Sequence, residues 1–191
     1  MAKPGYLLIS ACMAVAMQHA AALTLVTEDY PPFNMLSGEV VTGISTELLR
    51  ESLQLAGLRA DFKLLPWARA LFLARTQPDT CVYSAVRTHE REHWFQWIGP
   101  LVADDIKLFA LASNPVRVNN VADAKRLRVG GYNGDAYTDV AEKMGIPVER
   151  VTSDAQNLLK LHAGRIDLWP AAGWGHTGRC ARGNAAASRR C

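Results

Sequence analysis

The sequence lacks the features that mark several large classes of protein. Only one of its four cysteines, Cys81, lies between residues 23 and 172, so we expect no disulfide within this part of the chain. There is no cluster of basic residues suited to a nucleic-acid backbone. Zinc-ligand spacing, a Ser/His/Asp order and a phosphate-binding loop are also missing. These absences argue against nucleic-acid binding and against several common kinds of enzyme.

Acidic residues are missing from both ends of the chain. Of the net charge of +3, residues 1–22 carry +1 and residues 173–191 carry +4, which leaves −2 for the region between them. With 191 residues, 49% hydrophobic and 20% charged, the chain is long and apolar enough for one or two globular domains. The basic ends therefore conceal a slightly acidic body.

Residues 1–22 are predicted to be a secretory signal peptide. Lys3 precedes an apolar run from Tyr6 to Met17, and small residues follow before Leu23. The apolar run is too short for a transmembrane anchor. The alternative is lipoprotein processing at Cys12, and either route exports the protein.

Two halves of the body show the same order of predicted elements. The first has strands at 23–27, 60–65 and 80–86 and helices at 44–57 and from Pro66. The second has strands at 127–132, 148–153 and 165–170 and helices at 134–145 and 154–164. Each half is predicted to form a mainly parallel β-α-β-α-β sheet, and an extended run at 105–114 crosses between them. The C-terminal ends of the strands then surround one cleft, where ligands usually bind.

Aromatic residues follow the first strand and begin the second helix. Tyr30 and Phe33 flank two prolines that fix the backbone, so both rings can be held at the edge of the cleft. Trp67 stands at the start of a helix beside the next strand. The alternative for all three is packing in or around a core.

Two arginines, Arg87 and Arg91, follow the third strand, and Thr88 can cap the start of a helix with Glu90 in its first turn. An arginine fork makes paired, charge-assisted hydrogen bonds to a carboxylate. The alternative is ion pairing with neighbouring glutamates on the surface, which we expect for one of the two arginines. The sequence therefore predicts a bound anion at the end of this strand.

A second anion-binding element is predicted in the second half. Gly134 permits close approach of the backbone, and the helix that follows offers free N–H groups at its N-terminus. Alternatively, Asp135 simply caps its own helix.

Five segments together carry a resemblance to a known family: "TEDYPPFN", "GISTELLRE", "YSAVRTHER" followed by "FQWIGPL", "LRVGGYNGDAY" and "LHAGRIDLWP". From residue 23 to about 171, the chain resembles the periplasmic solute-binding proteins of ABC importers, in the polar amino-acid-binding group (bacterial extracellular solute-binding family 3). The resemblance implies a two-lobed α/β fold of the type II periplasmic binding proteins and a monomer that works without a cofactor. It also implies an ABC permease of the inner membrane as partner.

The resemblance also implies roles for individual residues. Tyr30 would stack on the ligand, Arg91 would bind its carboxylate, Ser84 would line the pocket, and the loop from Asn133 to Asp135 would close over the carboxylate. The predicted ligand-binding residues are Tyr30, Phe33, Trp67, Ser84, Arg87, Thr88, Arg91, Asn133, Gly134 and Asp135. No catalytic residue and no metal ligand is predicted.

Two positions depart from the family's pattern. Val86 stands where amino-acid binders often have a hydroxyl, and Ala172 lies near the place of an acid that pairs with the ligand's ammonium group. Both departures argue against an ordinary α-amino acid as ligand.

The composition changes abruptly at the end of the chain. From Gly173 onward there is no Leu, Ile, Val, Phe, Asp or Glu. We expect residues 172–191 to be a disordered, out-of-frame tail that follows a signal peptide (1–22), a first lobe (23–108) and an incomplete second lobe (109–171). The chain is then expected to be marginally stable and to bind weakly or not at all. The alternative is a genuine short variant with a basic tail.

The expected function is extracytoplasmic binding of a small carboxylate-bearing solute, an amino acid or a related compound, for ABC-type import by hinge closure. Two alternatives stay open. One is a periplasmic enzyme on the same fold, similar to cyclohexadienyl dehydratases, in which Glu28, Asp29 or Asp135 would be the acid in the cleft. The other is a sensor module that reports ligand to a signalling partner.

Overall fold

The computed structural model describes residues 22–103 and 106–173. The predicted signal peptide and the tail beyond residue 173 lie outside the described residues. In the first lobe the elements are β1 (Leu23–Thr27), β2 (Met35–Ser37), β3 (Val40–Thr42), α1 (Ile44–Leu55), β4 (Ala60–Leu64), α2 (Trp67–Thr76) and β5 (Thr80–Val82). From residue 106 onward they are β6 (Ile106–Phe109), α3 (Val121–Ala124), β7 (Val129–Tyr132), α4 (Ala136–Lys143), β8 (Val148–Val151), α5 (Asp154–His162) and β9 (Trp169–Ala172).

The first lobe is built on a parallel sheet with the strand order β4-β1-β5. This confirms the β-α-β-α-β order predicted for the first half. The third strand was predicted to reach residue 86, but β5 ends at Val82 because Ser84 adopts a left-handed conformation with φ 58°. The turn carries the chain out of the sheet and toward Arg91.

A short antiparallel hairpin of β2 and β3 was not predicted. Its strands have three residues each, which is too few for an alternating pattern to be read from the sequence. The helix that follows begins after Gly43, and Ser45 lies buried in its first turn.

The second lobe combines parallel and antiparallel pairs. β7 pairs with β8 in parallel, β6 pairs with β9 in antiparallel register, and a parallel bridge from Val129 to Leu168 joins the two pairs. The crossing strand predicted at 105–114 is confined to β6, which lies beside β9. The predicted lobe boundary at residue 108 stays a prediction.

The last strand begins later than predicted. Instead of starting at residue 165, β9 starts at Trp169, because a turn closes α5 at Gly164 with φ 63°. The backbone N–H of Asp167 then donates to the carbonyl of Arg128, and its carboxylate pairs with the Arg128 guanidinium at 2.6 Å. These contacts hold residues 165–167 outside the sheet.

The most informative hydrophobic cluster contains residues from both lobes. Val26, Trp67, Ala70 and Leu71 of the first lobe pack with Tyr132 of the second. A second cluster lies wholly within the second lobe around Val129, Ile146 and Leu168. The C-terminal ends of β1 and β7 therefore face each other across a packed seam.

In the ranges that the structure describes, no helix has both the length and the apolar character needed to span a membrane.

Candidate functional site

Arg91 lies at the centre of the surface between the lobes. Its side chain is only 3% exposed, and Nη2 donates to the Gly134 carbonyl at 2.6 Å. Nη1 donates to the Val86 carbonyl at 3.4 Å, and the Asp139 carboxylate lies 3.8 Å from Nη2. The guanidinium is thus buried opposite the N-terminal end of α4, where a charged acceptor would bind more strongly than a neutral carbonyl.

The turn that carries Arg91 is fixed by Thr88. The Arg91 backbone N–H donates to the Thr88 carbonyl at 3.1 Å and to its Oγ1 at 3.2 Å. Thr88 is half-buried and caps a turn, so the helix predicted to start there is wrong. Its observed contact positions Arg91.

Arg87 is directed away from this site. Its side chain is 60% exposed and forms a two-point ion pair with Glu92, and its guanidinium lies over the ring of Trp97. The pair lowers the pKa of the Glu92 carboxyl and raises that of Arg87. The two arginines of the sequence motif therefore have different environments, and only Arg91 reaches the surface between the lobes.

Trp67 contributes a hydrogen-bond donor at the same point. Its indole N–H donates to the Gly134 carbonyl at 2.7 Å, and the side chain is 4% exposed. The ring packs with Leu71 and Tyr132, so it belongs to the seam between the lobes as well as to the first-lobe core.

Tyr30 and Phe33 form a stacked pair with ring centroids 6.2 Å apart and an angle of 15° between the planes. Phe33 is buried and Tyr30 is half-buried. Residues 30–34 form a tight turn in which the Tyr30 backbone N–H donates to the Asn34 carbonyl at 2.7 Å. Tyr30 is therefore the more exposed ring of this pair.

A chain of hydrogen bonds connects the two lobes beside these rings. Ser84 Oγ donates to Asn34 Oδ1 at 2.6 Å, and Asn34 Nδ2 donates to the Glu28 carbonyl at 2.7 Å. From the second lobe, the Tyr132 hydroxyl donates to Glu28 Oε1 at 2.8 Å. Burial and the charge of Glu28 raise the pKa of Tyr132 well above its usual value, so the hydroxyl remains a donor at neutral pH.

The loop from Asn133 to Asp135 brings the second lobe to this surface. Asn133 is exposed, and its backbone N–H donates to the Val151 carbonyl at 3.0 Å. Gly134 has φ 77° and offers its carbonyl to both Arg91 and Trp67. Asp135 caps α4, where its Oδ2 accepts from the Thr138 backbone N–H at 2.7 Å and from the Thr138 hydroxyl at 2.6 Å.

Burial gives Asp135 a predictable dependence on pH. The carboxyl is 4% exposed, and its desolvation raises its pKa above the usual value despite the bonds from Thr138. A raised pKa means that the folded state holds the proton more tightly than the unfolded state, so stability falls as pH rises through this range. Asp135→Asn keeps the capping oxygen without the charge. We therefore expect the difference in free energy of unfolding between this variant and wild type to move in favour of the variant from about pH 4 to about pH 7.

Chemical denaturation at the two pH values measures this difference. Asp135→Ala removes the capping oxygen as well as the charge, so it should be about 1 kcal/mol less stable than Asp135→Asn at both. An Asp135→Asn protein whose advantage over wild type shrinks as pH rises would contradict the assignment.

Three residues at this site were missed as ligand-site candidates: Asn34, Tyr132 and Asp139. Tyr132 could have been found, because it ends a buried strand at the predicted cleft. Asn34 ends the motif that was singled out, but its burial depends on bonds to Glu28 and Ser84 that the sequence does not reveal. Asp139 lies one turn into α4 and reaches Arg91 only across the lobes.

An open depression lies on the rim of the same surface, lined by Glu90, Asp139, Glu142 and Lys143. It is separate from the Tyr30 edge, and its polar groups are engaged with one another and with Arg150. Within residues 22–103 and 106–173, no cluster of three or more histidine, cysteine or acidic residues is arranged to hold a metal ion.

Comparison with known proteins decides the family. The pattern of "Bacterial extracellular solute-binding proteins, family 3" matches residues 23–127, more than half of the chain. The chain belongs to this family. No curated protein matches its sequence.

Solved structures of amino-acid-binding proteins have the same fold. An ancestral arginine-binding protein bound to arginine superposes with a TM-score of 0.75 at 17% identity, over 87% of this chain and 76% of that one. The arginine-, lysine-, histidine-binding protein from Geobacillus stearothermophilus gives 0.72 at 18%, over 81% and 68%. An ancestral amino-acid-binding protein described as a precursor of cyclohexadienyl dehydratase gives 0.69 at 17%, over 80% and 71%.

These findings confirm the predicted family and the predicted type II fold. The family is extracytoplasmic and consists mainly of proteins that bind solutes without transforming them. At such low identity the structural likeness shows the fold alone.

Proposed function

We propose that this protein binds a small solute with a carboxylate, an amino acid or a related compound, between its two lobes. The observation that carries the proposal is the burial of Arg91, whose guanidinium faces the N-terminal end of α4. A buried arginine fork and a helix N-terminus on opposite sides of a cleft suit a carboxylate. Tyr30 is proposed to stack on the ligand, and Ser84 is proposed to line its pocket. Arg87 is engaged with Glu92 instead.

Glu28 supplies an acidic group on the same surface. Its carboxylate is half-buried and lies 2.8 Å from the hydroxyl of Tyr132. Tyr132 precedes Gly134 by two residues in the chain. We propose that Glu28 pairs with a cationic group of the ligand. This pairing is with the ligand's side chain and not with the ammonium group that the acid missing near Ala172 would bind, and it agrees with the arginine and lysine in the names of the related structures.

The physiological role proposed here is import. Ligand would dock on the first lobe (23–108), the second lobe (109–171) would close over it, and an ABC permease would recognise the closed monomer at the periplasmic face of the membrane. The predicted signal peptide (1–22) supports export. Titrations that test this role should extend to millimolar concentrations.

A thermal-shift panel of amino acids and small carboxylates tests the proposal on the full chain. Ligands that bind the folded protein raise its Tm, and the rise grows with the ratio of ligand concentration to Kd. We expect the largest rises for amino acids with a cationic side chain. A panel in which no carboxylate raises the Tm, up to millimolar concentration, would refute the proposal.

Catalysis is the second candidate, favoured by one neighbour that is described as a precursor of cyclohexadienyl dehydratase. Asp135 is a buried acid with a raised pKa, as a proton donor requires. Its capping bonds to Thr138 engage it in the structure, however, which favours binding. Formation of product from prephenate would establish the enzyme.

Glu28→Gln should separate charge recognition from shape. The amide keeps an acceptor for Tyr132 but removes the negative charge, so we expect affinity for a cationic amino acid to fall about tenfold and affinity for a neutral one to change little. Calorimetry with arginine and glutamine measures both. Glu39→Gln, an exposed acid on the turn between β2 and β3, is the matched control. Equal losses for the two ligands would contradict the proposed pairing.

A further inference from the structure

The Gly134 carbonyl accepts hydrogen bonds from two side-chain donors of the proposed ligand site. Arg91 Nη2 and the Trp67 indole N–H come from different parts of the first lobe, yet both donate to this one oxygen, at 2.6 Å and 2.7 Å. Both donor side chains are nearly fully buried. A carboxylate oxygen also accepts from converging N–H donors, so a ligand carboxylate would compete with this carbonyl for them.

Gly134 reaches this position because it has no side chain. A Cβ at Gly134 would lie 3.3 Å from Leu71 Cδ1 and 3.3 Å from Trp67 Cδ1, which is tighter than ordinary contact. The residue also has φ 77°, a conformation that other residues seldom adopt. The loop of the second lobe is thus fitted closely against α2 of the first.

Further contacts hold the two lobes together around this point. The Tyr132 hydroxyl bonds to Glu28, and Tyr132 and Val151 pack against the apolar cluster of the first lobe. On the rim, Lys143 Nζ pairs with Glu90 across the lobes at 2.5 Å. These contacts form a seam that involves apolar packing, buried hydrogen bonds and an exposed ion pair.

From these contacts we infer that the protein closes on itself without ligand, with the Gly134 carbonyl acting as an internal competitor for Arg91 and Trp67. The inference rests on the proposed function for its meaning, since the competitor stands in for a ligand carboxylate. Ligand entry then requires the lobes to part, and the fraction of parted molecules limits the apparent affinity. A ligand carboxylate displaces the carbonyl because it brings a full charge to Arg91.

Exchange of the Trp67 indole proton reports this state directly, without any ligand. The resonance can be assigned in the full chain by comparison with Trp67→Phe. In wild type the proton is expected to be protected, because it is bonded and buried in the closed form. Opening exposes it to solvent.

Lys143→Glu should open the seam from a distance. Three of the four residues that line the rim depression are already acidic, and Lys143 is the fourth. The substitution replaces an ion pair with repulsion of Glu90, so exchange of the Trp67 indole proton should accelerate by about three- to tenfold. Lys63→Glu, an equal charge change at an exposed residue of β4, should leave the rate at the wild-type value.

A charge swap keeps the test decisive if Lys143→Glu damages the fold. The double variant Glu90→Lys with Lys143→Glu restores an opposite pair, and protection of the indole proton should return. Exchange in wild type as fast as in free tryptophan would overturn the inference, as would a rate unchanged by Lys143→Glu or a loss of protection that the swap does not repair. None of these readings depends on a ligand, so the inference and the proposed function can fail separately.

Discussion

Replacement of Arg91 by alanine is expected to abolish most of the binding of an amino-acid ligand. The change removes the buried guanidinium and leaves the ligand carboxylate without its charged donor. Charge-assisted bonds of this kind are worth about 3 kcal/mol, which corresponds to a loss of affinity of roughly 100-fold or more. Calorimetric titration of the variant and of wild type measures the loss.

Arg87→Ala is the matched control, because it removes the same group from a neighbouring surface position. Its ion pair with Glu92 is exposed, so its affinity should stay within about twofold of wild type. Circular dichroism of both variants confirms that they are folded, which matters because Arg91 also bonds Val86 and Gly134. The assignment of the anchor would be wrong if Arg87→Ala weakened binding and Arg91→Ala did not.

The largest loss of stability is expected from Gly43→Ala. Gly43 has φ 120°, and a Cβ there would lie 2.4 Å from the Phe33 carbonyl oxygen and 2.8 Å from the Asn34 nitrogen. Both atoms belong to the backbone and have little freedom to move, because the Ser45 N–H also donates to the Phe33 carbonyl at 2.9 Å. We expect the free energy of unfolding in urea to fall by about 3 kcal/mol or more.

Gly57→Ala separates this clash from backbone strain. Gly57 also has a positive φ, 67°, but its added Cβ would meet nothing within 4 Å. Strain alone should cost about 1 kcal/mol. Similar losses for the two variants would show that the contact with Phe33 and Asn34 is not the cause. Because that turn also presents Tyr30, Gly43→Ala should weaken ligand binding as well.

The arrangement of the main sheets could be predicted because its signals are local. Proline begins α2 and glycines end α1 and α4, so the alternation of strands and helices can be read from the sequence. The hairpin of β2 and β3 could not, because three-residue strands carry no readable period. The start of β9 was misplaced because contacts with Arg128, distant in sequence, hold Asp167 outside the sheet.

The candidate site shows the same division between local and distant causes. Arg87 and Arg91 look alike in the sequence, and what distinguishes them is the carbonyl of Gly134, 43 residues away. Trp67 was predicted as an aromatic wall, and its bond to the same carbonyl adds a donor role that depends on closure of the lobes. Both features follow from packing between the lobes, which no pattern within one segment encodes.

Recognition of a ligand carboxylate by Arg91 is the central claim, and one pair of calorimetric titrations tests it most directly. Arginine and agmatine, the amine left when the carboxylate of arginine is removed, share the guanidinium that Glu28 would bind and differ in the group that Arg91 would bind. The full chain is predicted to release heat on binding arginine and to bind agmatine at least about 100-fold more weakly. Equal binding of the two compounds would contradict the claim.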